Sequence, residues 1–101
     1  MSRANVIAFA KSLGRELGPE NITVNAIAPG ITDTPQLQVD ADDAGISLEA
    51  MHAEYAAEIP ARRIGKPEDI AAVAALLSRP GLAAFVGQTL QANGGSTRAR
   101  A

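Results

Sequence analysis

The chain has 101 residues, a net charge of −2 and no cysteine, and 47% of its residues are apolar although only three are aromatic. This length is short of the roughly 150 to 250 residues of a complete nucleotide-binding α/β unit, so we expect one domain or part of one. Scattered basic residues argue against nucleic acid as a partner, and no stretch approaches the roughly 20 apolar residues of a membrane span, which predicts a cytoplasmic protein. A single histidine, His52, cannot build a metal site alone.

Apolar periodicity predicts a helix at the start of the chain. In residues 2–17 apolar side chains recur at steps of three and four, which places them on one helical face. That face consists of Val6, Phe9, Ala10, Leu13 and Leu17. Gly18-Pro19 predicts the end of the helix, because glycine tolerates the left-handed conformation and proline cannot continue the hydrogen-bond ladder. Residues 22–28 are β-branched and uncharged, which is typical of a parallel strand covered on both faces and ended by Pro29-Gly30.

Residues 31–59 are expected to form a lid over a substrate. Residues 31–47 carry polar residues, proline and glycine without a sustained period, which predicts a mobile loop. Ser47 is a candidate N-cap for a helix from Leu48 to about Ile59, whose apolar residues share one face.

A third helix and a second strand complete the predicted elements. Pro67 suits the first helical position, and Glu68 and Asp69 complement the positive end of the helix dipole. The apolar stripe of this helix consists of Ile70, Val73, Ala74 and Leu77. Residues 85–92 return to strand character, and the tail from Ser96 is expected to fray. Helix, strand and helix in this order predict part of a parallel α/β sheet.

Several motifs resemble the short-chain dehydrogenase/reductase family. Residues 23–30 followed by Thr34 resemble its sixth strand and proline-glycine turn, and residues 63–71 resemble the opening of its penultimate helix. Residues 86–95 are similar to its last strand, and residues 11–18 to the helix ahead of them. The resemblance extends over nearly the whole chain. It implies the C-terminal portion of a Rossmann-type doubly wound parallel sheet, with two strands, three helices and the cofactor-binding half outside residues 1–101.

The resemblance implies that Pro29, Gly30, Ile31 and Thr34 lie along the nicotinamide of NAD or NADP. Glycine lets a planar ring approach the backbone, while amide and hydroxyl groups can hydrogen-bond a carboxamide without adding charge. The proline-glycine pair could instead serve only to end the strand. Asn93 stands where the family commonly has an acid, which is expected to alter a local turn.

The resemblance also places the catalytic residues of the family. It puts Arg3 in the slot of the catalytic lysine and puts the catalytic tyrosine two residues ahead of Met1. Arg3 keeps a cation that can lower the pKa of a phenol, but its rigid fork copies lysine poorly, and a solvated arginine is the alternative. Tyr55 is followed four residues later by Ile59 and is assigned to packing or surface. His52 is expected to be solvated.

The function implied is that of an NAD(P)-dependent oxidoreductase. The complete enzyme would transfer a hydride between the cofactor and the carbonyl or alcohol carbon of a small molecule, as a homo-oligomer. The 101 residues alone are expected to be inactive. The alternative is a non-catalytic oligomerisation or interaction module. The resemblance implies that it would associate through the helices of residues 2–17 and 67–78 and the last strand.

Overall fold

Four α-helices and two short strands form the chain within residues 2–96, the part that the computed structural model describes. In chain order they are α1 (Arg3–Leu17), a 3-10 turn (Gly18–Glu20), β1 (Ala26–Pro29), α2 (Pro35–Ala44), α3 (Leu48–Glu58), α4 (Pro67–Leu77) and β2 (Thr89–Ala92). The tail was expected to fray, and its residues beyond Ser96 lie outside the described residues. No helix of residues 2–96 has the length and apolar character needed to cross a membrane.

The two strands pair in parallel, as predicted. The amide of Ala26 donates to the carbonyl of Gln88 at 2.9 Å, and the amide of Gly30 donates to that of Ala92 at 3.2 Å. Because the residue numbers rise together along both strands, the register is that of a parallel pair.

Both strands begin later than the sequence predicts, and the side chain of Asn25 explains why. Its Nδ2 donates to the carbonyl of Phe85 at 3.0 Å, and its Oδ1 accepts from the amide of Gln88 at 3.1 Å. The asparagine side chain therefore takes backbone partners that a regular ladder would use. Regular pairing starts only at Ala26 and Thr89.

The chain divides into two compact units, which we call unit 1 (residues 2–28 and 72–90) and unit 2 (residues 29–71 and 91–96). In unit 1 the buried apolar residues are Ala10 and Ala26. In unit 2 they are Leu37, Ala41, Met51 and Ile59.

The predicted buried face of α1 is wrong in part. Val6 is 42% exposed and Phe9 is 58% exposed, whereas Ala10 and Gly14 are buried. A Cβ atom added at Gly14 would lie 2.9 Å from Cγ1 of Val86, so the helix is pressed closely against that residue. The fully buried residues of α1 are thus small ones, whereas Leu13 and Leu17 are half-buried.

α1 ends at Leu17, as predicted, but Gly18 does not take the left-handed conformation that was expected of it. Gly18 has a right-handed conformation with φ of −54° and begins the 3-10 turn, and Asn21 takes the left-handed conformation with φ of 63°. Asparagine tolerates this region better than most residues other than glycine. The chain therefore continues after Leu17 as a 3-10 turn that contains Pro19, and the left-handed residue is Asn21 instead of Gly18.

The predicted mobile loop of residues 31–47 is wrong, because α2 lies within it and raises the number of α-helices to four. Pro35 occupies the first turn and needs no amide partner there. Leu37 and Ala41, one turn apart, are buried, and Gly45 closes the helix in the left-handed conformation with φ of 71°. The predicted N-cap of α3 is confirmed, since Oγ of Ser47 accepts from the amide of Ala50 at 3.0 Å.

Candidate functional site

The carboxyl end of β1 runs into a segment, Gly30–Thr34, that we call the strand-end segment. A Cβ atom added at Gly30 would lie 2.6 Å from Cβ of Asn93 and 2.8 Å from its Cα. Real Cβ atoms do not approach so closely, so no larger residue fits without moving the backbone. The close approach of Asn93 therefore requires glycine at this position, whether or not a nicotinamide ring also approaches it.

Gly65 holds the strand-end segment from a second direction. Its amide donates to the carbonyl of Ile31 at 2.9 Å, and its carbonyl accepts from the amide of Asp33 at 2.8 Å. These bonds form an isolated parallel bridge between Thr32 and Gly65. The hydroxyl of Thr32 also donates to the carbonyl of Gly30 at 3.1 Å. The backbone of the segment is therefore fixed at several points.

Some donors of the strand-end segment remain free. Thr34 is the exposed N-cap of α2, but its hydroxyl makes no capping hydrogen bond. Within residues 2–96 the amides of Ile31 and Thr34 donate no hydrogen bond either. Ile31 is 36% exposed. These groups are the right donors for an amide carbonyl, and no charged side chain is needed to supply them.

The predicted cofactor residues and the predicted catalytic residue belong to different units. Pro29, Gly30, Ile31 and Thr34 belong to unit 2. Arg3 belongs to unit 1, where it is the exposed first residue of α1, after the N-cap Ser2.

An ion pair at the start of α4 was not predicted from the sequence. The guanidinium of Arg63 donates to both oxygens of Asp69, with Nη1–Oδ2 at 2.8 Å and Nη2–Oδ1 at 3.2 Å. Oδ2 of Asp69 also accepts from the backbone amide of Lys66 at 2.8 Å. We call Arg63, Lys66 and Asp69 the carboxylate clip. The available signal was an acid at the third helical position, which commonly reaches back to the residue before the helix.

The clip changes the pKa values of both side chains. Hydrogen bonds from Arg63, and then from the amide of Lys66, lower the pKa of Asp69 from 3.8 to about 2. The hydrogen bond to Asp69 raises the pKa of Arg63 above its ordinary value. Both groups are charged at neutral pH, so the clip is an ion pair there.

A small open cavity of about 210 Å³ lies beside the clip. Its lining consists of Ala61, Arg63, Gly65, Asp69, Ala92 and Gly94. Because the charges of Arg63 and Asp69 are already paired with each other, the cavity presents no uncompensated charge to a ligand.

The remaining candidates have modest roles. Nε2 of His52 lies 3.4 Å from Oδ1 of Asp33 and makes no hydrogen bond within residues 2–96. His52 is half-buried rather than solvated, because α3 brings it next to the strand-end segment. Tyr55 is half-buried in α3, in line with its assignment to packing. No group of three or more metal-binding side chains occurs in the described part of the chain.

Known proteins resemble the chain in sequence. Residues 1–97 match the family model described as Enoyl-(Acyl carrier protein) reductase. Over 94 residues the chain is 36% identical to the short-chain reductase protein NovJ of Streptomyces niveus. It is 37% identical, over the same length, to the 3-oxoacyl-(acyl-carrier-protein) reductase FabG of Escherichia coli. In both comparisons the match covers 93% of this chain and 36% of the relative, so the chain spans only that share of their length.

A solved structure resembles it in fold as well. The crystal structure of YwfH, an NADPH dependent reductase involved in bacilysin biosynthesis, has a TM-score of 0.84 and 32% identity, over 96% of this chain and 38% of that one. This likeness confirms the predicted portion of a Rossmann-type α/β fold. The chain therefore belongs to the short-chain dehydrogenase/reductase family, and it corresponds to a C-terminal part of such a protein, as the sequence motifs predicted.

Proposed function

We propose that the chain is the nicotinamide-orienting part of an NAD(P)-dependent oxidoreductase. The bound cofactor would supply or accept a hydride at the carbonyl or alcohol carbon of a small molecule. The observation that carries the proposal is the set of free donors in the strand-end segment, namely the amides of Ile31 and Thr34 and the hydroxyl of Thr34. NADPH is favoured over NADH because the similar structure of YwfH is that of an NADPH dependent reductase.

Each proposed group has a definite task. The free amides and the Thr34 hydroxyl hydrogen-bond the carboxamide of the nicotinamide, which decides the ring face that is offered to the substrate. Pro29 and Gly30 lead the backbone to that position, and Gly30 keeps the approach free of a side chain. Residues 31–59, which contain α2 and α3, form the substrate lid, and a lid of this kind excludes water around the reacting carbon. A cytoplasmic location accords with this role.

We also infer that residues 1–101 alone do not turn over a substrate. Their only tyrosine, Tyr55, has Ile59 four residues later and therefore lacks the neighbouring cation that would activate a phenol. Arg3 stands in the lysine slot of the family and is proposed to act on a tyrosine outside these residues. Incubation of the purified chain with NADPH and a panel of ketones and aldehydes is expected to show no cofactor oxidation, and measurable turnover would contradict this inference.

Amide NMR spectra recorded during titration with NADPH up to millimolar concentration test the orienting role without requiring turnover. This high concentration is needed because the resemblance puts the other cofactor contacts outside residues 1–101, so binding by these residues alone is expected to be weak. The resonances of Ile31 and Thr34 are expected to move on binding. Thr34→Val should weaken binding by roughly three- to tenfold, because one hydrogen bond to the cofactor is lost. Thr23→Val is the matched control, since Thr23 is also exposed but lies outside the strand-end segment. An absence of shifts in the strand-end segment, or equal effects of the two variants, would sink the proposal.

A second candidate function, a homo-oligomeric interaction module, is favoured by the exposed apolar residues of α1. Val6 and Phe9 lie one turn apart and are both largely open to solvent. Light scattering after size-exclusion chromatography separates the two candidates. A discrete dimer or tetramer that does not respond to NADPH favours the module, whereas a monomer whose strand-end resonances respond favours the oxidoreductase.

A further inference from the structure

The strand-end segment depends on Gly65 for part of its shape. Two backbone hydrogen bonds, at 2.9 and 2.8 Å, join Gly65 to Ile31 and Asp33. Gly65 also lies close to the segment, because a Cβ atom added to it would be 3.3 Å from the carbonyl oxygen of Ile31. A displacement of Gly65 would therefore move the backbone on either side of Thr32, next to the free donors of Ile31 and Thr34.

Gly65 is held in turn by the carboxylate clip. The residue after it, Lys66, donates its amide to Oδ2 of Asp69, and Arg63, two residues before it, donates to both oxygens of the same carboxylate. One side chain on the first turn of α4 thus anchors the chain on both sides of Gly65. Hydrogen bonds to an ionised carboxylate are stronger than neutral ones, and the planar fork of arginine matches the two oxygens.

The loop between α3 and α4 is held at its other end as well. The amide of Ala61 donates to the carbonyl of Gly94 at 3.0 Å, and the amide of Arg62 donates to that of Ile59 at 2.8 Å. With the first residues of the loop fixed in this way, its later residues are held by the clip on both sides of Gly65 and by the two backbone bonds of Gly65 itself.

We propose that Arg63 and Asp69 are positioning residues for the nicotinamide, which act through Gly65 on the strand-end segment. This inference rests on the proposed cofactor role of that segment. Neither side chain needs to touch the cofactor, since its effect is transmitted through the two backbone bonds between Gly65 and the segment.

The exposure of the ion pair separates positioning from general stabilisation. The side chains of Arg63 and Asp69 are 56% and 38% exposed. Exposed ion pairs contribute little to the free energy of unfolding of a whole domain. Loss of the clip is therefore expected to change the local backbone and the cofactor affinity far more than the stability of unit 2.

Three variants test the clip, and each removes a different number of its hydrogen bonds. Asp69→Ala removes all of its bonds, Asp69→Asn removes the charge but leaves an acceptor for the amide of Lys66, and Arg63→Gln removes the fork alone. The matched control is Glu68→Gln, which neutralises the neighbouring acid of the same helical turn and leaves the clip intact. The two milder variants keep the test valid if Asp69→Ala folds poorly.

The first readout is amide hydrogen exchange, which requires no cofactor. Asp69→Ala is expected to speed exchange at the amides of Gly65 and Asp33 by roughly three- to tenfold, because opening of their bridge becomes easier. Exchange at Met51, whose amide is bonded within α3, should stay unchanged. The second readout is the NADPH response of Ile31 and Thr34, whose apparent affinity should fall in the same graded order.

The outcomes distinguish the inference from the proposed function. If the unmodified chain shows no NADPH response at the strand-end segment, the proposed function fails and the positioning role fails with it. If the unmodified chain responds but Asp69→Ala behaves like Glu68→Gln in both readouts, only the positioning role is overturned. Faster exchange together with an unchanged NADPH response also overturns it, because the position of Gly65 would then have no effect on cofactor binding.

Discussion

Gly30 needs to be glycine for a structural reason as well as for a proposed functional one. The sequence suggested that this position needs glycine because a planar ring approaches it. In the structure, a Cβ atom at this position would collide with Asn93 of unit 2. The demand depends on a residue far along the chain, so local sequence reasoning could identify the glycine but not the reason for it. Thr34 was identified through the family resemblance, but the free state of its hydroxyl follows only from the cap geometry.

Replacement of Gly30 by alanine should destabilise unit 2. The new Cβ would meet backbone and side-chain atoms of Asn93 at 2.8 and 2.6 Å, and relief of such crowding typically costs about 1 to 3 kcal/mol. Amide exchange in unit 2 measures this as a lower free energy of opening. Gly18→Ala is the control, because nothing lies within 4 Å of a Cβ at that position, and a change of under about 1 kcal/mol is expected. Equal effects of the two variants would contradict the crowding at Asn93.

Asp69 should give the chain a pH dependence in strong acid. Its pKa is lowered from 3.8 to about 2 by folding, so the ionised form favours the folded state above pH 3.8, and this contribution is lost as the pH falls through about 2. The carboxyl carbon resonance of Asp69 should titrate near that lower value. In Arg63→Gln the midpoint should rise toward 3.8, because the largest cause of the shift is removed. A midpoint that is insensitive to Arg63 would contradict the ion pair.

At the scale of elements, capping signals predicted the structure better than periodicity did. Ser47 and Pro67 were placed correctly at or next to the starts of helices, because caps act through contacts within one turn. The helix α2 was missed, although Pro35 and Gly45 are ordinary start and stop residues, because its few apolar positions have no sustained period. The predicted stripe of α4 is also only partly correct, since no residue of that helix is buried.

Gly14→Ala tests whether close packing of α1 outweighs helix propensity. Alanine favours an isolated helix by about 1 kcal/mol relative to glycine. In unit 1, however, the added Cβ would lie 2.9 Å from Cγ1 of Val86 and 3.2 Å from the amide nitrogen of Gly87. We expect a net loss of about 1 to 2 kcal/mol, seen as faster exchange of the Gly87 amide.

A second substitution identifies the source of that loss. Val86→Ala removes the nearest atom, so the double variant should lose less than the two single losses added together. Strict additivity, or a stabilising effect of Gly14→Ala alone, would show that α1 does not press against Val86.

At the scale of the whole molecule, residues 2–96 bury very little. None of the larger side chains among them is fully buried, and the buried apolar residues include three alanines. Several large apolar side chains are exposed instead: Val6, Phe9, Ile22, Ile31, Val39, Leu76 and Phe85. The alanine-rich composition predicted a thin core, but which large residues are exposed follows from tertiary packing and not from the periodicity of single elements.

This balance of buried and exposed apolar surface predicts weak cooperativity of unfolding. A two-stranded sheet is marginal in water, and a small core leaves little enthalpy to be absorbed in one cooperative step of unfolding. The calorimetric and van't Hoff enthalpies of dilute chain should therefore disagree, and the transition should depend on concentration. The double variant Val6→Ser and Phe9→Ser should reduce the concentration dependence while exchange at Met51 in unit 2 stays unchanged, because that amide is bonded within α3. A sharp transition would mean that the few buried residues suffice for two-state folding. A transition that is independent of concentration would mean that the exposed surface of α1 takes no part in association.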